Sequence, residues 1–330
     1  MRARFAIPAL VATLMAPLAV APTPAVSAPN GESQTTAGVV GYIVFSHSQY
    51  RASAGAAQGY RGPGDLRVIA PDGSLGVELT KGPADDSEPV FSPDSTQVAF
   101  SSDRANRRAG VTDLYVINVY TNELRRLTFG AGTAGVSWSP DGKSLVVEDR
   151  SGLLVVPANG GKAQRLLRTP RGQVDSDPAW TPDGTNVLFA RAQNKHGHTV
   201  SKAIWTVAAN GGNAHRLIGG DGALKFSSQP ATSTDGYTVA WVTRSKHGTT
   251  VWLADLYFGL LDNVRKLVVD PGHVLDGPAF APDSSALVMT RYRGSAQHGA
   301  ELVVADLPSG KLTLVYSVTR GALSAPNWAN

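Results

Sequence analysis

The sequence predicts an all-β fold: a six-bladed β-propeller of four-stranded blades, with the ring closed by the two ends of the chain in one blade. Three observations carry this. One motif repeats five times, no stretch shows a helical period, and each end of the chain holds the part of a repeat that the other lacks.

The motif is legible at PVFSPDSTQVAFSSDR from Pro89, GVSWSPDGKSLVVEDR from Gly135, PAWTPDGTNVLFARA from Pro178, PATSTDGYTVAWVTR from Pro230 and PAFAPDSSALVMTRYR from Pro278. Its aspartates, Asp94, Asp141, Asp183, Asp235 and Asp283, are 47, 42, 52 and 48 residues apart, a spacing that suits one blade per repeat. Within a repeat, a short apolar strand ends in Phe91, Trp138, Trp180 or Phe280. A Pro-Asp-Gly or Pro-Asp-Ser turn follows, in which proline presets φ, aspartate accepts local backbone bonds and glycine takes the left-handed position. Ser95 and Ser284 stand where glycine is expected, so each is either a left-handed serine or the mark of a different turn. The second strand is a run such as Gln97 to Ser101, the third one such as DLYVINV, AIWTVAA or ELVVADL. A polar turn leads to a fourth strand such as ELRRLT or AQRLLR. The fourth repeat has Thr232 and Thr234 in place of the aromatic and the turn proline, which predicts a looser blade.

A four-stranded sheet with two apolar faces needs a neighbour on each side, and only a closed ring supplies one to every blade. From Gly38 the chain reads as a second strand, VVGYIVFSHS, followed by DLRVIAP and VELT. It ends on APNWAN, in which Pro326 and Trp328 match Pro89 and Phe91 of a first strand. Five whole repeats and one split repeat make six blades over residues 38–330.

The P-x-[FW]-[ST]-x-D-G pattern, the apolar strand after it and the R-R-L-T-like fourth strand resemble the TolB-like propeller repeat, and the resemblance covers essentially all of 38–330. It implies a propeller of exported proteins. The same repeat occurs in regulatory domains of prolyl oligopeptidase-like peptidases, so it specifies architecture and not activity. TolB carries an α/β domain before its propeller, whereas only a leader and a short linker precede the repeats in this sequence.

Arg2 and Arg4, an apolar run from Phe5 to Val20 and the small residues up to Ala28 form a secretory signal peptide over 1–28, with a linker over 29–37. Cleavage after Ala25 is the alternative, because Pro29 follows Ala28. The apolar run is broken by Pro8 and Pro17 and falls short of the roughly 20 residues of a membrane span. The expectation is a secreted or periplasmic cell-envelope protein with no transmembrane segment in the mature chain. With no cysteine there are no disulfides and no thiolate chemistry. Removing Arg2 and Arg4 lowers the formal net charge from +4 to +2, spread without a basic block, which argues against nucleic acid. A monomer is expected.

Catalytic motifs are absent from the sequence: there is no G-x-S-x-G elbow. His196 and His198 form an H-x-H pair without a third ligand, and Asp175 and Asp177 lack the rest of a calcium loop. His47 reads as a lone surface histidine at a strand end. No metal and no cofactor are expected. Paired carboxylates could come from Asp85, Asp86 and Glu88, from Asp175 and Asp177, or from Asp270 and Asp276. The remaining pattern is a candidate binding rim. Arg104, Arg150, Arg191, Arg244 and Arg291 recur near the end of the second strand, and Glu88, Asp177 and Asp276 lie on the crossovers to the next blade. Such a ring suits a peptide, a protein loop or an anionic group. It equally suits a repeated bridge that closes each blade, and both readings stand. The function expected is a protein- or peptide-binding module in the envelope or outside the cell. The alternative is a propeller hydrolase or lyase acting on an envelope polymer or small molecule.

Overall fold

A computed structural model describes residues 41–51, 60–257, 259–293 and 299–329. The leader and linker predicted over 1–37 lie outside the described residues.

Six antiparallel four-stranded sheets surround a central channel. The first blade joins β1 (Tyr42–Arg51), β2 (Tyr60–Ile69) and β3 (Val77–Glu78) to the last strand, β24 (Gly321–Ala329), in the order β24-β1-β2-β3. The second blade runs β4 (Asp86–Phe91), β5 (Gln97–Ser102), β6 (Asp113–Asn118) and β7 (Leu124–Arg126). The third runs β8 (Ala134–Trp138), β9 (Ser144–Asp149), β10 (Gly152–Pro157) and β11 (Gln164–Arg168). The fourth contains β12 (Gln173–Trp180), β13 (Asn186–Lys195), β14 (His198–Ala208) and β15 (His215–Gly219). The fifth contains β16 (Ser227–Thr232), β17 (Thr238–Ser245), β18 (Gly248–Tyr257) and β19 (Leu260–Pro271). The sixth contains β20 (Val274–Phe280), β21 (Ala286–Tyr292), β22 (Ala300–Asp306) and β23 (Leu312–Val318).

Ring closure takes the form the sequence predicts: β24 pairs antiparallel with β1, and Trp328 lies opposite Ile43. Ile43, Phe45, Val288, Leu302 and Trp328 then form one apolar layer between the sixth and first blades. Five similar layers fill the other interfaces, so each blade face is covered by its neighbour.

The repeated turns form through their side chains. The hydroxyls of Ser92, Ser139, Thr181 and Ser233 donate to Asp94, Asp141, Asp183 and Asp235, and backbone N–H groups two residues after each aspartate donate to the same carboxylates. These hydroxyl and N–H bonds hold the Asp141 and Asp183 carboxyls below their usual value. Ser95 and Ser284 adopt φ of 58° and 60°, so the turn is kept and the serines are left-handed. In the fifth blade, Trp241 is fully buried and stacks on Trp252 at 6.4 Å, supplying aromatic bulk that Thr232 does not. The Thr232 hydroxyl bonds to the Trp180 carbonyl of the preceding blade.

Candidate functional site

In every blade the first strand starts, the second ends, the third starts and the fourth ends on one side of the ring. That side therefore carries the crossovers between blades and is here called the crossover face. The first strands line a channel of about 630 Å³, to which all six blades contribute.

Each first strand has a register break at the same place. The residue there is left-handed: Glu88, Gly135, Asp177, Gln229, Gly277 and Ala325 have φ between 47° and 61°. Proline follows in five of the six blades, as Pro89, Pro178, Pro230, Pro278 and Pro326. A bulge is one of the few sheet positions that tolerates proline, because a ladder N–H is not needed there. The bulges link neighbouring blades. Glu88 Oε2 accepts the Gly135 N–H at 2.6 Å, Asp177 Oδ2 the Gln229 N–H at 3.4 Å, and Gln229 Oε1 the Gly277 N–H at 3.1 Å. Gly135 has no side chain to continue the series, and Glu148 of β9 takes its place, accepting the Asp177 N–H at 3.1 Å.

Glu88, Glu148 and Asp177 therefore converge on one arc of the channel wall. Burial pushes the Glu148 carboxyl up to about 8, and the charges of Asp177 and Glu88 add to the effect. Burial also raises Glu88, as does Asp177.

Most of the arginines predicted for the rim hold carboxylates. Arg104, just beyond β5, contacts Asp86 with Nη2 at 2.8 Å, and its guanidinium lies 5.1 Å and 5.0 Å from the rings of Phe100 and Tyr115. Ser102 Oγ donates to the same carboxylate at 2.6 Å. Arg191 on β13 makes a two-pronged contact with Asp175 at 2.6 Å and 2.8 Å, over the rings of Phe189 and Trp205. Asp86 and Asp175 are equivalent, two residues before the bulge, so arginines two positions apart reach the same place in two blades. Both carboxylates are buried, and the Arg191 side chain is only 7% exposed. Arg244 instead crosses to the next blade, meeting Asp276 at 2.7 Å, where the Tyr292 hydroxyl also donates. Arg291 pairs with Glu301 at 2.6 Å on the adjacent strand and lies 3.7 Å from Asp270. Arg150 is exposed on the loop after β9.

Of the carboxylate groups considered in the sequence, Asp85 accepts the Gly64 N–H, Asp86 and Asp175 hold arginines, Asp270 bonds to His273, and Glu88 and Asp177 face the channel. His196 and His198 are exposed at the tip of the β13–β14 hairpin. His47 is buried in β1, and that burial lowers its pKa, helped by Arg67. Among the described residues no three His, Asp or Glu side chains are grouped to hold a metal ion.

Three features of the face are not among the residues singled out from the sequence. Glu148 and Gln229 complete the inner chain of hydrogen bonds. Asp113 and Asp149 hold Arg126 and Arg165 of the fourth strands at 2.7 Å and 2.6 Å. Phe129 stands on the crossover after β7 with 76% of its surface exposed, and the Arg126 guanidinium lies 4.8 Å from its ring. Phe226 on the crossover before β16 is partly exposed under the Lys225 ammonium at 5.7 Å. The residue before each first-strand proline was the signal for the inner chain: Glu, Asp, Gln, Gly and Ala occupy one repeat offset.

Comparison with known proteins matches the repeat. The family model for the TolB beta propeller domain matches residues 55–229. A Tol-Pal system protein TolB from Francisella tularensis is 26% identical over 166 residues, 49% of this chain and 36% of that protein. An uncharacterized peptidase, YuxL, from Bacillus subtilis is 31% identical over 113 residues, 31% of this chain and 16% of that protein. The chain thus aligns with about a third or less of each of these relatives. Among solved structures, TolB from Acinetobacter baumannii superposes with a TM-score of 0.67 at 20% identity, over 88% of this chain and 66% of that one. An oligogalacturonate lyase in complex with manganese gives 0.53 at 17% identity, over 85% and 75%. At these identities the superpositions speak for the fold. Together with the matched repeat, the closed ring of six blades shows that the chain belongs to the TolB β-propeller family.

Proposed function

We propose that this propeller is an exported envelope protein that binds a protein or peptide partner on its crossover face. The observation that carries the reading is Phe129. A phenylalanine with three quarters of its surface in water, capped by a guanidinium, is well suited to anchor a partner. Phe226 with Lys225 repeats the arrangement on another crossover, and the channel lining reaches Asp85 on the same face. The arginines contribute differently from one another. Arg104, Arg191 and Arg291 are committed to carboxylates, while Arg150 and Arg244 keep enough surface to meet a ligand. Export rests on the leader at 1–28, and N-terminal sequencing of exported material should begin near Pro29 or Val26.

The test is crosslinking and affinity capture from the envelope fraction of the source cell, with the mature protein and its Phe129→Glu variant compared. A partner held by the first and lost by the second supports the face as the binding surface. Equal capture by both removes it.

A second reading has its own observation. Glu88, Glu148 and Asp177 converge, and a carboxyl raised to about 8 is protonated at neutral pH, as a general acid must be. Each of the three already accepts a backbone N–H from the next blade, which favours a bracing role. Turnover of an envelope polysaccharide by the wild type but not by Glu148→Gln would establish the hydrolase or lyase reading instead.

A further inference from the structure

The six bulges place six equivalent backbone N–H groups around the channel. Four of them, on Gly135, Asp177, Gln229 and Gly277, donate to a side chain supplied from the preceding blade. The other two belong to Ala325 and Glu88, at the junction of the sixth, first and second blades. The residue placed to cap Ala325 is Gly277, which has no side chain. The residue placed to cap Glu88 is Ala325, whose methyl group has no acceptor. Where Gly135 leaves the same gap, Glu148 fills it; among the described residues no side chain does so for Ala325 or Glu88. Both residues line the channel, within reach of a ligand that enters it. Backbone N–H groups in such a place take an acceptor whenever one is offered.

We propose that the Ala325 and Glu88 N–H groups form a subsite for a main-chain carbonyl oxygen of a peptide entering the channel. The proposal rests on the reading of the crossover face as a protein- or peptide-binding surface. Two neighbouring donors call for an oxygen acceptor. A neutral carbonyl fits better than a carboxylate, because the burial and the Asp177 charge that raise the Glu88 carboxyl also disfavour an added anion there.

The experiment uses the mature protein labelled with ¹⁵N, with N-acetylglycinamide as the neutral probe and acetate as the anionic one. The Ala325 and Glu88 amides should exchange with solvent about tenfold faster than the four capped amides, because no side chain caps them. Both signals should shift saturably with N-acetylglycinamide and less with acetate. Ala325→Gln places a carboxamide where Gln229 already has one, one blade short of a capped amide. It should slow exchange at Glu88 and abolish the response of Glu88 to the probe. Amides at Ala325 and Glu88 that behave like the four capped ones, or a larger response to acetate, would overturn the subsite. The wild-type measurements do not depend on the variant folding. Partner capture separates the two ideas: capture with silent amides sinks the subsite alone, and responsive amides without capture sink the binding face alone.

Discussion

Glu148 supplies the acceptor that Gly135 cannot: its Oε2 takes the Asp177 N–H at 3.1 Å and lies 3.2 Å from where a Gly135 Cβ would be. The exchange brings a carboxylate from a second strand to the inner wall, beside Glu88 and Asp177. Three acids are concentrated there because the third blade has glycine at its bulge. A Cβ at Gly135 would also meet Pro178 Cδ at 2.8 Å, so the glycine and the glutamate depend on each other.

Stability should therefore fall as pH rises from the ordinary carboxyl value of 4.5 to about 8. Glu148 has a raised pKa in the folded protein, so across that window the native state holds a proton that the unfolded state has released. Its stabilising contribution is complete below 4.5 and is lost as pH passes through about 8. Glutamine keeps the oxygen that accepts the Asp177 N–H and does not titrate. Melting temperatures of Glu148→Gln should accordingly vary less than those of the wild type over this range. An equally steep decline in the variant would assign the effect to other groups.

Arg191 and Arg244 should respond differently to removal, although they occupy nearly one repeat offset. Arg191→Ala leaves Asp175 buried and unpaired, a loss of about 3–5 kcal/mol, which lowers the melting temperature by on the order of 10 °C. Arg244 is 47% exposed, and its pair with Asp276 contributes about 0–1 kcal/mol, so Arg244→Ala should melt nearly as the wild type does. Thermal scans of the two variants decide between a brace and a surface pair, and similar melts would contradict the burial seen here.

The blade plan was legible because its signals are local. Ser139, Asp141 and Gly142 lie within one turn and meet each other there, so spacing alone exposes them. Trp328 could be assigned to a first strand in the blade of β1 because the repeat counts in register across both ends of the chain, and in the structure it lies opposite Ile43. The inner chain of hydrogen bonds was not legible, since each bond crosses between blades: 47 residues separate Glu88 from Gly135, and 52 separate Asp177 from Gln229. Repeat offset likewise puts the five arginines in one class. Their partners divide them, because Arg104 and Arg191 find a carboxylate in their own first strand while Arg244 finds one in the next blade.

Removing residues 324–330 should abolish cooperative folding. The deletion strips most of β24 from β1, exposes Ile43 and Phe45, and leaves the edge of β1 unpaired. It also removes Asn327, whose Oδ1 accepts the Phe91 N–H of the second blade at 2.9 Å. Aggregation or a broad, early melt is the expected outcome, and a sharp transition at the wild-type temperature would contradict ring closure by β24.

Phe129→Ala should weaken partner binding at least tenfold while leaving the fold intact. The side chain is 76% exposed and lies outside the six apolar layers, so its removal should change stability by no more than about 0.5 kcal/mol. An aromatic anchor at an interface typically accounts for 2 kcal/mol or more, roughly a thirtyfold change in affinity. The Arg126 guanidinium above the ring is held independently by Asp113, so it should keep its position when the ring is gone. A loss of binding therefore reports the ring itself and not a displaced arginine. Titration of the captured partner against wild type, Phe129→Ala and Phe226→Ala, with melts run in parallel, gives the comparison. Unchanged affinity in both variants would place the partner elsewhere on the propeller. A lowered melt in Phe129→Ala would mean that the ring packs against the protein more than its exposure indicates.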